Sequence, residues 1–228
     1  MAWNSEDEGQ PRSLHPSYAS TVSRSPRQPL VRIPQTLTEI TGPSDWGALM
    51  GGVMDDLTRQ HAGEPLGQRI IVSGCVADEA RRPIANTVIE IWQANAAGRY
   101  IHNKDQWDAP LDPNFTGAGR VITDQDGRYR YVTIRPGAYP WKNHHNAWRP
   151  SHIHLSLLGP AFATRLVTQM YFPDDPLFAF DPIAGAVPEP YRRRMIARFD
   201  LAATQPEWAL GYLFDIVLRG PLATPMGT

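Results

Sequence analysis

Seven runs of β-branched and aromatic residues, each closed by turn-forming residues, limit what this chain can fold into. They are RIIVSGCVAD (69–78), TVIEIWQAN (87–95), GRVITD (119–124), RYRYVTI (128–134), HIHLSLLG (152–159), RLVTQMYF (165–172) and YLFDIVLRG (212–220). Val, Ile, Tyr and Phe suit a pleated, half-buried surface. Breaks such as DQDG at 124–127 turn the chain between neighbours. Helical patterns are few. SDWGALMGGVMDDLTRQ (44–60) opens on a Ser-Asp cap with apolar residues at helical spacing, and its glycines weaken it. PEPYRRRMIARF (188–199) is the better helix, with Pro190 near its start. The pattern predicts a mainly β chain: an antiparallel β-sandwich over residues 44–228 with long loops and short helices. Residues 1–43, rich in Pro, Ser and Arg, read as an extended N-terminal arm that packs on a partner chain.

A net charge of −1 provides no basic field for nucleic acid. Arg192, Arg193 and Arg194 read as a solvated helix face. No apolar run reaches membrane-spanning length, and MAWNSEDEGQPRS lacks the basic-then-apolar order of a signal peptide. The single cysteine, Cys75, sits in a strand run and reads as a small buried hydrophobe. A cytoplasmic location is expected.

The stretch YPWKNHHNAWRPSHIH (139–154) holds four of the seven histidines. On a strand, residues i and i+2 share a face, so His152 and His154 can approach one metal while Ile153 points away. The same pair also suits a half-buried strand making ordinary hydrogen bonds. A cupin-like site or a two-histidine, one-carboxylate iron(II) site needs an acidic residue nearby, and LSLLGPAFATRLVTQMYF (155–172) has none. A zinc site needs a third nitrogen or a carboxylate. His144 and His145 offer nitrogens, but adjacent loop residues read as surface.

Tyr139, in a Pro/Gly-rich loop, and Tyr100, just past a strand, widen the choice. A phenol titrates near pH 10, and a highly charged cation can strip its proton. Iron(III) favours phenolate, and zinc rarely takes it. Two phenolates and one hydroxide balance a charge of +3, leaving two neutral imidazoles to fill a five-coordinate shell.

In order, WQANAAGRY, DPNFTGAGR, TDQDGRYRYVTIRPGAYPW, WRPSHIH and TQMYFPDDP resemble the intradiol ring-cleavage dioxygenases, from about Tyr18 to FDIVLRG at 214–220. The resemblance implies one non-haem iron(III) per chain, held by Tyr100, Tyr139, His152 and His154 with a solvent hydroxide. It implies Tyr139 and His154 as axial ligands and Tyr100 and His152 as equatorial ones. The implied substrate is a catechol, 3,4-dihydroxybenzoate, cleaved with O2 between its hydroxyl-bearing carbons in aromatic catabolism. Tyr139 doubles as the base that takes one catechol proton. Arg149 matches an arginine that stabilises negative charge on the substrate ring. Gln169 matches a position beside the ligands, in reach of a ligand or a reacting oxygen. Trp92, Trp141 and Ile183 match apolar pocket walls, and Tyr18 a tyrosine near the substrate.

The branch of the family closest in motif order pairs this kind of chain with a homologous α chain that lacks iron, in an αβ unit that assembles further. The arm suits that arrangement. Two alternatives remain at this point: a relative acting on catechol or hydroxyquinol, and a metal-free β-sandwich subunit. The catechol and hydroxyquinol relatives carry a helical N-terminal domain where this chain has only an arm.

Overall fold

The computed structural model describes residues 8–31, 34, 52–159 and 162–227. Its strands are β1 (Arg69–Ala77), β2 (Val88–Trp92), β3 (Ala118–Ile122), β4 (Arg128–Ile134), β5 (Tyr139–Pro140), β6 (Trp148–Arg149), β7 (His152–Gly159), β8 (Phe162–Tyr171), β9 (Arg198–Phe199), β10 (Leu210–Leu213) and β11 (Ile216–Val217). One sheet has the order β3-β2-β7-β8, with every pair antiparallel. The other is built on β1, with β4 antiparallel on one side and β10, then β11, on the other. β5 and β6 form a separate short hairpin.

Alternation explains the core. On β7, Ile153, Leu155 and Leu157 are fully buried between the sheets. They meet Ile89 and Ile91 of β2 and, across the sandwich, Ile70, Val72 and Val76 of β1. Each such side chain contributes roughly 1.5–3 kcal/mol on burial. The period of two then sends His152 and His154 to the outer face of the sheet, away from this core.

The expected antiparallel sandwich forms, with one departure. β1 runs parallel to β10 and β11, which a long connection from the other sheet permits. The single run expected over 212–220 is split at Phe214 and Asp215. There the Tyr129 hydroxyl donates to the Phe214 carbonyl at 2.5 Å, and Asp215 Oδ1 accepts the Cys75 N–H at 3.0 Å. Cys75 is therefore half-buried on the outer face of β1, not a core residue.

Both helix expectations change. Residues 44–51 lie outside the described residues. Residues 52–60 form a strap across the sandwich edge, with only a 3-10 turn at Leu57–Arg59. Met54 exchanges backbone hydrogen bonds with Arg120, and Val132 N–H donates to the Asp55 carbonyl. Leu57 enters the core. A helix would claim those backbone groups for itself. The expected helix over 188–199 is one turn, Glu189–Arg192, followed by a 3-10 turn and then β9. Two short helices were not anticipated: α1 (Ala19–Arg24) and α2 (Pro182–Ala186). The turn Glu189–Arg192 is α3.

The described arm packs on its own chain. Arg12 N–H donates to the Ala186 carbonyl at 2.8 Å, and Ala19 N–H to the Asn143 carbonyl at 3.0 Å. Gln10 Oε1 accepts the Met226 N–H near the C-terminus. Residues 26–31 and 34 are all exposed, Leu30 and Val31 among them.

Gly74 sits where β1 meets the bend at Phe214. A Cβ there would lie 1.9 Å from the Phe214 carbonyl oxygen, a backbone atom that cannot swing aside. Gly74→Ala should cost about 3 kcal/mol and lower the thermal midpoint by roughly 6–12 °C. An unchanged midpoint in a melting experiment would contradict this packing.

Candidate metal centre

The outer face of β7 is where polar side chains collect. Register puts Trp92, His154 and Gln169 in one row across β2, β7 and β8, and His152 beside Tyr171. Trp92 lies flat on the His154 imidazole, 4.8 Å between centroids and 5° between planes. That contact fixes the plane of the ring. The Trp92 contact to the site thus runs through His154.

His152 is held by a different device. Its Nδ1 lies 2.7 Å from the Pro150 carbonyl, which can only accept, so Nδ1 carries the proton. Nε2 then carries the lone pair, and it is 3.2 Å from His154 Nε2. Burial holds both histidines well below their ordinary pKa, with Arg149 adding to the effect on each and His152 to that on His154. Two neutral imidazoles with converging nitrogens are the form that binds metal.

Two loops bring the phenols. Tyr139 is paired with Arg149 in the β5–β6 hairpin, and its Oη is 3.4 Å from His152 Nε2. Tyr100 follows β2 in a loop tied by Asn95, whose Oδ1 accepts the N–H groups of Ala97 and Arg99. Asp105 then accepts the Tyr100 N–H at 2.8 Å. The Tyr100 ring meets Tyr139 edge-on at 5.4 Å. Its hydroxyl is buried with no hydrogen-bond partner among the described residues. Burial, then the neighbouring Tyr139, push its pKa well above the ordinary phenol value. A buried orphan hydroxyl costs free energy; a cation beside it would remove its proton and answer that cost.

The donor set fits iron(III). Among the described residues, no three His, Cys, Asp or Glu side chains gather into a metal site. A cation here would draw on Tyr100, Tyr139, His152 and His154, two potential phenolates and two neutral nitrogens. The one buried carboxylate nearby, Asp181, is taken. It forms a bidentate ion pair with Arg149, Nε to Oδ1 at 2.9 Å and Nη2 to Oδ2 at 3.0 Å. Both side chains are almost wholly buried, at 2% and 0% exposure. Burial alone would discourage both charges, and the pairing outweighs it. Arg149 stays protonated, and the Asp181 carboxyl is held below its ordinary value. Arg149 Nη1 is left facing the site, 3.0 Å from His152 Nε2 and 3.3 Å from Tyr139 Oη.

Gln169 serves Arg149 in this arrangement. Its Oε1 accepts from Arg149 Nη2 at 2.6 Å and lies 2.8 Å from the Tyr171 hydroxyl oxygen, and its Nε2 donates to the Gly227 carbonyl. None of these contacts is to a ligand atom, the role expected from sequence. Trp141 lies under the Arg149 guanidinium at 5.2 Å and meets Tyr18 edge-on at 5.3 Å. Tyr18 is buried because the arm folds back, with Asn143 holding Ala19 and Ser20. Ile183 is buried on α2, two residues beyond Asp181.

His145 is exposed as expected, but His144 is half-buried beside Trp141. Both of its ring nitrogens are buried without a hydrogen-bond partner among the described residues, and burial pushes its pKa down. Asp181 and Tyr171 were missed from sequence. Asp181 precedes Pro182, the pattern of a helix cap, and its side chain accepts from Ala184 N–H. Tyr171 lies two residues after Gln169 on the same strand, hence on the same face.

Gly98 permits the two tyrosine loops to touch. It has φ +78°, and a Cβ there would lie 2.2 Å from the Ala138 carbonyl. Gly98→Ala should part Tyr100 from Tyr139 and lower bound iron per chain at least twofold by metal analysis. Full iron in that variant would show that the loop contact is not what places Tyr100.

The family model described as "Dioxygenase" matches residues 40–220, and "Protocatechuate 3,4-dioxygenase beta subunit N terminal" matches residues 4–36. The chain is 56% identical to a protocatechuate 3,4-dioxygenase β chain from Burkholderia cepacia, over 95% of this chain and 93% of that one. It is 28% identical to a protocatechuate 3,4-dioxygenase α chain from the same organism, over 68% of this chain and 74% of that one. Among solved structures, hydroxyquinol 1,2-dioxygenase from Pseudomonas putida DLL-E4 shares the fold, with a TM-score of 0.56, 23% identity, and coverage of 90% of this chain and 72% of that one. With a residue set of phenols and imidazoles and a match along nearly its whole length, the chain belongs to the intradiol dioxygenase family, among the protocatechuate 3,4-dioxygenase β chains.

Proposed function

We propose that this chain holds one non-haem iron(III) through Tyr100, Tyr139, His152 and His154. With O2 it cleaves 3,4-dihydroxybenzoate between the hydroxyl-bearing carbons to 3-carboxy-cis,cis-muconate. The observation that carries this reading is the convergence of two phenols and two neutral imidazoles in a buried site whose nearby carboxylate is already paired. The substrate is taken from the 56% identical relative. The reaction adds both atoms of O2 to the ring and needs no further reductant. When bound, iron(III) supplies the electron withdrawal that makes a chelated catecholate reactive toward O2.

The chain's own residues have definite tasks. His152 presents a lone pair because Pro150 holds its proton on the far nitrogen. Tyr139 Oη, as the phenolate that a bound iron(III) would hold, is the proton acceptor for a catechol hydroxyl. Arg149 Nη1, already 3.3 Å from that oxygen, stabilises negative charge there and on the incoming ring. Trp141, with Tyr18 against it, offers an aromatic wall for a planar substrate.

A homologous α chain is the proposed partner, in an αβ unit that oligomerises further. Similarity to both a β and an α chain supports such pairing. The exposed end of the arm, with Leu30 and Val31, is the segment available to it. The division into an arm (1–43) and a catalytic domain (44–228) is supported by two separate family matches. We place the protein in the cytoplasm. Among the described residues no helix is long and apolar enough to cross a membrane. A reducing compartment suits the one cysteine, whose thiol is pushed up by burial and Asp215.

Protein co-expressed with its α chain in iron-supplemented cells should be red-brown from phenolate-to-iron charge transfer. It should also turn over 3,4-dihydroxybenzoate far faster than catechol. A colourless, iron-free preparation, or a preference for catechol, would overturn the assignment. Tyr139→Phe should keep its iron while substrate binding slows roughly hundredfold in stopped-flow absorption. Unchanged binding kinetics would remove Tyr139 as the base.

A further inference from the structure

We infer that Asp181 is the positioning residue for Arg149: its carboxylate aims the guanidinium so that one nitrogen, Nη1, faces the reacting atoms. This rests on the function proposed above. Arg149 has five N–H donors in a rigid plane. Asp181 Oδ1 takes Nε and Oδ2 takes Nη2, so the fork is gripped along one edge. Nη2 also meets Gln169 Oε1 and the Tyr171 hydroxyl. Only Nη1 is left for Tyr139 Oη and His152 Nε2. A planar fork gripped on that edge has one direction left in which to point Nη1.

Asp181 is itself held by two further contacts. Its Oδ2 accepts from the Tyr171 hydroxyl at 2.6 Å and from the Ala184 N–H at 3.2 Å, where it caps α2. α2 is in turn held by the arm, through Arg12 N–H to the Ala186 carbonyl, and by Arg192, whose guanidinium donates to the Gly185 and Val187 carbonyls. The chain of contacts from arm to α2 to Asp181 to Arg149 thus ends on the proposed base. Because Asp181 already answers the guanidinium charge, Arg149 contributes a directed hydrogen bond more than a net positive charge.

The test is a mutant cycle on the iron-loaded αβ enzyme. Asp181→Asn and Asp181→Ser are each made in the parent and in Arg149→Met. Serine keeps a helix cap without the carboxylate. In the parent background both should keep at least 80% of the iron and lose kcat about thirtyfold, as expected of a misaimed group. The phenolate-to-iron absorption band should also shift, because Nη1 leaves Tyr139. In Arg149→Met the same substitutions should change kcat less than twofold, leave the band in place and raise the thermal midpoint, since no unpaired carboxylate remains. If the parent-background variants fail to fold while the double variants fold, the pair dependence stands. Equal losses in both backgrounds, no loss in the parent, or failure to fold in both would overturn it and leave Asp181 as a helix cap. The parent enzyme, assayed alongside, reports separately on whether the proposed function itself holds.

Discussion

A guanidinium cannot be taken out of water unless its charge and its donors are met inside the protein. Arg149 is almost wholly buried, and the construction around it follows from that demand. Asp181 supplies the charge, Gln169 and Tyr171 the remaining acceptors, and Trp141 a π face on which the plane rests. They come from three places in the fold: the N-cap of α2, strand β8 and the β5–β6 loop. The elements that surround the candidate centre are therefore fastened to one another through a single side chain. What is left of Arg149, one nitrogen, points at Tyr139 and His152.

The sandwich makes this arrangement possible by separating two jobs. The inner faces of the sheets hold an apolar core to which the site contributes nothing. The outer face of β7, freed from packing, displays His152 and His154 on rigid backbone. The tyrosines come from loops, where a ligand can be placed at any angle but must be pinned. Asn95, Asp105 and the close approach at Gly98 pin Tyr100. Pairing with Arg149 across the hairpin pins Tyr139. Two-residue strands hold Tyr139 less firmly than a long strand would, which suits the second task proposed for it as a base.

Sequence alone made some of this legible. β4 and β7 fall where the runs 128–134 and 152–159 indicated, since each opens on alternating polar and apolar residues and is bounded by turns. The pairing of His152 with His154 follows from the strand period. Other features were hidden because distant residues decide them. The run at 212–220 looks continuous until Tyr129 and Asp215 bend it. The apolar spacing in 44–60 suggests a helix, yet its described half gives its backbone to β3 and β4. Asp181 lies 32 residues from Arg149, and nothing local marks it beyond a helix-cap pattern. Gln169 was visible as a site residue, but its service to Arg149 was not. His144 looked like surface because only tertiary packing places it beside Trp141.

In the proposed centre two phenol oxygens and two imidazole nitrogens hold the metal, with no carboxylate and no sulfur. X-ray absorption at the iron edge of the loaded αβ protein tests it most directly. The expected result is a shell of oxygen and nitrogen atoms with two short phenolate bonds and imidazole scattering from two rings, and the loss of one short bond in Tyr100→Phe. A sulfur scatterer, a shell with a single imidazole, or an unaltered shell in Tyr100→Phe would contradict the ligand set.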